Sequence, residues 1–290
     1  CRDVVMSPGS RNTPLVLAAL ARAELRVHVV LDERAAGFMA LGLARQSGRP
    51  VALLCTSGSA GAHYLPAICE ADQSRIPLIA ITADRPPELH ECGAPQTMCQ
   101  VGLFAGHVRH ERSLFDLPPA GWRHAGLLAA DRAALLPAGP VHLNVSLREP
   151  LWSPGCEAHP PAAALAALSG SATLSQKDLQ SLAKTISGQP HGVVFCGARL
   201  DGGDLATAAR HLAHAAGWPL LAAATSGVRF AGAPHGVMGA FDALVDLLPT
   251  PEVVVQVGAA PLQRATLRWL SAAPHVVRVD AGGERRDPML

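Results

Sequence analysis

Strand-sized segments that alternate with longer helix-like segments constrain the fold of this chain most. In the first 150 residues, strands are predicted at 2–6, 26–31, 51–55, 77–82, 107–110 and 141–145. Helices are predicted between them at 13–22, 35–45, 59–71 and 121–136. Strands that are apolar on both faces are typical of a parallel sheet covered by helices on both sides. The sequence therefore predicts the α/β class, with mainly parallel sheets flanked by helices.

The length of 290 residues suggests two domains. Proline, glycine, alanine and serine dominate residues 147–175, a composition typical of a linker. The alternation then resumes, with helices predicted at 175–186, 204–216 and 262–271 and strands at 192–196, 219–223, 253–257 and 275–280. We predict a first domain over 1–148, a linker over 149–175 and a smaller α/β domain over 176–290.

Charge and composition exclude several functional classes. The chain has 24 Lys plus Arg against 23 Asp plus Glu, so nothing indicates binding to nucleic acid or to an anionic membrane. No apolar run approaches the roughly 18 residues of a membrane span. The seven cysteines form no C-x-x-C pair, which favours reduced thiols in a cytoplasmic protein. Since no initiator Met is present, we expect a piece of a longer protein.

Polar loops follow the first two predicted strands, where ligands of parallel α/β sheets bind. The first loop carries Ser10 and Arg11 into a helix start, which suits an anion, although an ordinary capped loop is equally compatible. The second begins with Asp32, Glu33 and Arg34. Composition alone favours a surface ion pair between Glu33 and Arg34 over a functional carboxylate.

The loops after the third and fourth strands are also candidates. The small residues Thr56, Ser57 and Gly58 allow a flat ligand to approach the backbone, or simply allow close helix packing. They match no dinucleotide or P-loop fingerprint. Arg85 is held beside two prolines on a long loop, a setting that favours a functional side chain. The segment 107–111 resembles a metal-ligand run, but a strand there would direct His107 and His110 to opposite faces.

These loops, in this order, resemble the 2-succinyl-5-enolpyruvyl-6-hydroxy-3-cyclohexene-1-carboxylate (SEPHCHC) synthase family, thiamine diphosphate enzymes of menaquinone biosynthesis. The motifs are S-P-G-S-R at 7–11, D-E-R at 32–34, T-S-G at 56–58, A-D-R-P-P-E at 83–88 and C-G-A-x-Q at 92–96. The match is dense over 1–150 and thinner from 191 to 290. It implies an aminopyrimidine-binding domain followed by an incomplete middle domain. A third domain, which binds the cofactor diphosphate through Mg²⁺ or Mn²⁺, is then absent, and no metal ligand is assigned in this chain.

The resemblance also implies an activity and a set of site residues. The enzyme would be a transferase that decarboxylates 2-oxoglutarate and adds the succinyl-semialdehyde carbanion to isochorismate, in a dimer or a dimer of dimers. Glu33 would be catalytic, through a hydrogen bond to the N1′ nitrogen of the aminopyrimidine. The cofactor would also contact Thr56, Ser57, Gly58 and Gln96. The substrates would contact Ser10, Arg11, Arg85, Gln96 and Arg264.

The chain departs from the family pattern at three positions. Pro95 stands where the family has Asn, His63 where it often has Asn, and Arg264 where it has Lys.

Two alternatives stay open: another thiamine diphosphate carboligase or decarboxylase, similar to acetolactate synthase, and a shortened paralogue that binds ligands without turnover.

Overall fold

The computed structural model describes residues 1–152, 173–198, 204–230 and 236–280. The chain divides into two compact units, Cys1–Ser169 and Gly170–Leu290. The division falls inside the predicted linker over 149–175, of which residues 153–172 lie outside the described ranges. The domain bounds proposed from the sequence therefore stay predictions.

A parallel sheet forms the centre of the first unit. Its strands are β1 (Asp3–Met6), β2 (Arg26–Val29), β3 (Val51–Cys55), β4 (Leu78–Asp84), β5 (Glu111–Leu114) and β6 (Val141–Ser146). They lie in the order β2-β1-β3-β4-β6-β5, and every neighbouring pair is parallel. All the carboxyl ends therefore meet at one edge of the sheet, called the carboxyl edge below. This arrangement confirms the predicted fold class.

Helices rich in small residues cover this sheet. They are α1 (Thr13–Leu20), α2 (Glu33–Ser47), α3 (Leu65–Gln73) and α4 (Pro119–Ala134). In α4 the buried residues Ala125, Ala129 and Ala133 recur every four positions and pack on β6. In α2, Gly37 lies so close to α3 that an added Cβ would stand 2.9 Å from Ala67 Cβ. These contacts bring the helices near the sheet and fix where each loop leaves the carboxyl edge.

The second unit is a smaller α/β unit with a parallel sheet of its own. Its strands are β7 (Gly192–Cys196), β8 (Leu220–Ala222), β9 (Val237–Met238), β10 (Val253–Val257) and β11 (His275–Val279), in the order β11-β10-β7-β8-β9. Its helices are α5 (Gln176–Ser187), α6 (Asp204–Ala216) and α7 (Arg264–Ser271). No helix in the described ranges of the chain is long and apolar enough to cross a lipid bilayer.

Two local predictions for the first unit are wrong. The strand expected at 107–110 is absent, and β5 begins only at Glu111. The guanidinium of Arg109 instead contacts the Asp72 carboxylate and the Pro137 carbonyl, which fixes this segment as a connector. Because this segment is not a strand, the argument that His107 and His110 point to opposite faces of one does not hold. His107 Nδ1 lies 3.5 Å from Asp72 Oδ2.

The helix expected over 59–71 is divided in two. Residues Gly58–Tyr64 form a 3₁₀-helix, and α3 begins at Leu65. Pro66 has no N–H to donate to the preceding turn, so one α-helical hydrogen-bond ladder cannot continue through this position. The division places Gly58 at the start of a tight turn at the carboxyl edge.

Candidate cofactor and substrate site

The loop after β1 is stabilised by a buried asparagine. Asn12 Oδ1 accepts a hydrogen bond from the Gly9 N–H at 2.9 Å, and Asn12 Nδ2 donates to the Ser7 carbonyl at 2.9 Å. Gly9 packs directly on Thr56, because a Cβ added to Gly9 would lie 2.5 Å from Thr56 Cβ. The loop that carries Ser10 and Arg11 is thereby placed against the end of β3.

We expect Gly9→Ala to destabilise this junction, because neither the loop nor Thr56 has room for the added methyl group. The expected loss of unfolding free energy is about 1–3 kcal/mol, as for other overpacked sites. Urea unfolding measures it. Gly42→Ala in α2 is the matched control, since nothing lies within 4 Å of an added Cβ there, and a neutral or slightly positive effect is expected. Equal effects of the two substitutions would contradict the proposed contact.

The start of α2 leaves the Glu33 carboxylate without a protein partner. Asp32 caps the helix, since its Oδ1 accepts hydrogen bonds from the N–H groups of Arg34 and Ala35 at 2.9 and 3.1 Å. The Arg34 guanidinium also binds Asp32, with Nη2 2.8 Å from Oδ2. The prediction from composition that Glu33 and Arg34 form a surface ion pair is therefore wrong. Among the described residues, no hydrogen bond or ion pair to the half-buried Glu33 carboxylate is found.

Glu33 lies near a buried thiol and a buried phenol behind the carboxyl edge. Burial raises the pKa of the Cys55 thiol to about 12, and the charge of Glu33 adds to this rise. Burial likewise raises the pKa of Tyr64, with smaller contributions from Cys55 and Glu33. The fully buried Tyr64 hydroxyl has no partner at hydrogen-bonding geometry in the described part of the chain. Both groups stay protonated and neutral.

The Ser57–Gly58 turn and Gln96 form a close-fitting backbone cradle. Gln96 Nε2 donates to the Ser57 carbonyl at 3.1 Å, and Ser57 Oγ donates to the Gln96 carbonyl at 3.2 Å. Gly58 has a φ of +79°, and a Cβ there would lie 3.0 Å from Gln96 Cγ. Glycine is required at this position both by the left-handed backbone and by the crowding.

Two arginines meet at the carboxyl edge. Arg85 Nη1 donates to Ser57 Oγ at 2.8 Å, and Arg85 Nη2 donates to the Pro95 carbonyl at 3.0 Å. Burial lowers the pKa of Arg85, and the charge of Arg11 lowers it further. Two cations that repel each other in this way form an environment that favours an anion.

Arg11 is almost completely buried and is held mainly by the segment after β6. Its Nη1 donates to the Leu147 carbonyl at 2.9 Å, and its Nη2 lies 3.1 Å from Glu149 Oε1. The Glu149 side chain is 72% exposed, so this ion pair is open to solvent on one side. Arg11 Nε is buried and has no hydrogen-bond partner within the described ranges.

The remaining candidate residues are Ser10, His63 and Pro95 in the first unit and Arg264 in the second. Ser10 and His63 are exposed, and neither has a described side-chain contact. Pro95 contributes only its carbonyl, which accepts from Arg85. Arg264 is exposed and is the first residue of α7 in the second unit.

Sequence reasoning missed Gln100 and Asn144. Gln100 Oε1 accepts a hydrogen bond from the Gly58 N–H at 2.7 Å, and Gln100 Nε2 donates to Asn144 Oδ1 at 2.8 Å. A signal was present for Asn144, because polar His142 and Asn144 alternate within a strand that is buried throughout. No comparable signal marked Gln100, which lies in a loop rich in polar residues.

Within the part of the chain that the structure describes, no candidate metal site accompanies these groups. Across residues 1–152, 173–198, 204–230 and 236–280, no cluster of three or more His, Cys, Asp or Glu could hold a metal ion.

The chain is similar to known proteins over nearly its whole length. Residues 1–103 match the family described as "Thiamine pyrophosphate enzyme, N-terminal TPP binding domain". Over 99% of its length, the chain is 39% identical to 2-succinyl-5-enolpyruvyl-6-hydroxy-3-cyclohexene-1-carboxylate synthase of Chloroflexus aurantiacus, of which it covers 51%. The synthase of Listeria monocytogenes is 40% identical over 99% of the chain and 52% of that protein. The synthase of Sorangium cellulosum is 41% identical over 96% of the chain and 49% of that protein. The chain thus spans about half the length of the curated relatives it matches.

Proposed function

We propose that this chain forms part of a SEPHCHC synthase, because residues 1–103 match the N-terminal TPP binding domain family of thiamine pyrophosphate enzymes and nearly the whole chain is similar to SEPHCHC synthases. The complete enzyme is then a transferase of menaquinone biosynthesis that takes 2-oxoglutarate and isochorismate as substrates. It releases carbon dioxide and joins the remaining four-carbon unit to isochorismate.

The observation that carries this proposal is the unpartnered Glu33 carboxylate. It lies at the start of α2, half-buried and next to two neutral groups, Cys55 and Tyr64. A carboxylate in this setting can accept a hydrogen bond from a protonated ring nitrogen and can share that proton. When bound, thiamine diphosphate supplies a carbon nucleophile that attacks keto acids and stabilises the electron pair left by decarboxylation. Glu33 is the residue that would hold the proton on the N1′ nitrogen of its aminopyrimidine.

We propose that the aminopyrimidine ring binds beside the Ser57–Gly58 turn and Gln96. Because Gly58 has no side chain, Gln96 packs directly on its backbone, and Thr56 is fixed by its contact with Gly9. We assign ring contacts to Thr56, Ser57, Gly58 and Gln96. Their role is to orient the ring relative to the Glu33 carboxylate and to exclude water from it.

Arg11 and Arg85 support the proposal that the substrates are acidic. Both proposed substrates carry two carboxylates at neutral pH, and Arg11 with Arg85 offers two forked cations for them. Ser10 lies beside Arg11 on the same loop and would donate its hydroxyl hydrogen. Arg264 is assigned a substrate contact by family resemblance alone.

We also propose a homo-oligomer. Leu31, Phe38 and Met39 are 79%, 49% and 39% exposed, and all three lie within six positions of Glu33 in the sequence. Apolar side chains exposed together are typical of a protein interface. A second subunit that covers them would also remove water from the Glu33 carboxylate.

Donor choice tests the proposal. With the protein expressed from its complete gene and supplied with thiamine diphosphate and Mg²⁺, we expect isochorismate consumption with 2-oxoglutarate and none with pyruvate. Use of pyruvate instead would favour a carboligase similar to acetolactate synthase. Cofactor binding without turnover of either donor would favour a non-catalytic paralogue. Either result would overturn the proposed reaction.

A further inference from the structure

We propose that Gln100 and Asn144 are positioning residues that hold the Ser57–Gly58 turn and Arg85 in a single arrangement through a closed circuit of buried hydrogen bonds. The inference rests on the proposed function, because the turn is assigned to the cofactor and Arg85 to the substrates. The two residues themselves touch neither ligand in this scheme.

The first half of the circuit runs from the turn to β6. The Gly58 N–H donates to Gln100 Oε1 at 2.7 Å. Gln100 Nε2 then donates to Asn144 Oδ1 at 2.8 Å, and also to the Ala83 carbonyl at 3.1 Å. Gln100 therefore connects the turn after β3, the end of β4 and the middle of β6.

The second half of the circuit returns from β6 to the turn. Asn144 Nδ2 donates to Asp84 Oδ2 at 2.8 Å, and Asp84 Oδ1 accepts from the Arg85 N–H at 2.8 Å. Arg85 Nη1 donates to Ser57 Oγ at 2.8 Å, which closes the ring next to Gly58. The same guanidinium that is proposed to bind substrate is thus one link of the circuit.

Because most members of this circuit are buried, its hydrogen bonds depend on one another. Ser57, Asp84, Gln100 and Asn144 are each at most 1% exposed. A buried donor or acceptor that loses its partner pays the full desolvation penalty, so breaking one link strains the others. The turn and Arg85 are therefore expected to move together and not independently.

The orientation of the Asn144 amide is also fixed by its neighbours. Its Oδ1 accepts from Gln100 Nε2 and from Thr82 Oγ1, at 2.8 and 2.9 Å, while its Nδ2 faces the Asp84 carboxylate. A flipped amide would place its oxygen against that carboxylate, so only one orientation satisfies every partner. Asn144→Asp removes the donor and places two carboxyl groups side by side.

A double-mutant cycle separates positioning from simple stability. We expect Gln100→Met to raise the KM for 2-oxoglutarate roughly three- to thirtyfold in the full-length protein. In an Arg85→Ala background, the same substitution should change that KM by less than about twofold, because its effect passes through Arg85. Where Gln100→Met fails to fold, Asn144→Asp carries the same test. Additive effects, or a KM within twofold of wild type, would overturn the inference.

The control is a second buried polar cluster at the opposite edge of the same sheet. Asp3 in β1 is buried and binds Arg26 and His28, with contacts of 2.6 and 2.9 Å. Asp3→Asn should lower the melting temperature and leave the KM unchanged in both backgrounds. If Gln100→Met behaves like Asp3→Asn, Gln100 has only a structural role.

A measurement without substrate keeps this inference distinct from the proposed function. Hydrogen exchange of the Gly58 amide should be roughly tenfold faster in Asn144→Asp than in wild type, although Asn144 does not touch Gly58. It should be unchanged in Asp3→Asn. If the wild-type protein uses neither substrate, the proposed function is wrong. The exchange measurement still tests whether the circuit holds the Ser57–Gly58 turn in place. Equal protection of Gly58 in wild type and in Asn144→Asp would overturn it.

Discussion

Glu33→Gln is expected to reduce turnover by about 10²–10⁴-fold, the usual contribution of a positioned acid–base group. Glutamine keeps the shape and the acceptor oxygen of the side chain, but it cannot take a proton from a ring nitrogen. Folding should be unaffected, because Asp32 and not Glu33 caps α2 and pairs with Arg34. The measurement is isochorismate consumption by the full-length protein at saturating thiamine diphosphate, with the melting temperature measured in parallel.

The matched control for this substitution is Glu24→Gln. Glu24 is exposed in the loop before β2, and removal of its charge should leave turnover unchanged. Turnover of Glu33→Gln within tenfold of wild type would remove Glu33 from the catalytic role. A large loss in both variants would instead indicate a general effect of charge.

Arg85→Ala and Arg11→Ala are expected to weaken substrate use by about 10- to 150-fold each, with little change in thiamine diphosphate binding. Each substitution removes a forked cation, and a charge-assisted hydrogen bond contributes about 1.5–3 kcal/mol. Saturation curves for 2-oxoglutarate, isochorismate and thiamine diphosphate measure the three affinities separately. The KM values for the two acids should rise, and the cofactor curve should stay in place.

Arg49→Ala provides the control for loss of a positive charge. Arg49 is exposed in the loop after α2, and its removal should change none of the three curves. If the arginine variants at positions 11 and 85 move only the cofactor curve, these residues have been assigned to the wrong ligand.

The strands of the fold could be predicted from sequence because their signal is local. Val51–Cys55 is apolar throughout, Val253–Val257 is apolar except for Gln256, and both are buried in a parallel sheet as expected. The segment 107–110 shows the limit. Its conformation depends on the hydrogen bond between the Arg109 guanidinium and the Asp72 carboxylate, which lies 37 positions away in the chain. No local sequence pattern contains that information.

The candidate site shows the same division between local and long-range information. The loops after the strands could be predicted, since the carboxyl edge of a parallel sheet follows from strand direction. Composition alone could not predict which carboxylate stays free, because either Asp32 or Glu33 could pair with Arg34 and only the capping geometry selects Asp32. The circuit through Gln100 was equally hidden, since it joins positions 58, 100 and 144.

The central claim is that Glu33 serves the aminopyrimidine end of thiamine diphosphate, and cofactor proton exchange tests it without any substrate. The measurement is the rate at which the proton on the thiazolium carbon exchanges with deuterium when the cofactor is bound to the full-length protein. We expect exchange in the wild-type protein to be at least about 100-fold faster than in Glu33→Gln, with Glu24→Gln as fast as wild type. Equal exchange rates in wild type and Glu33→Gln, with the cofactor bound to both, would contradict the account.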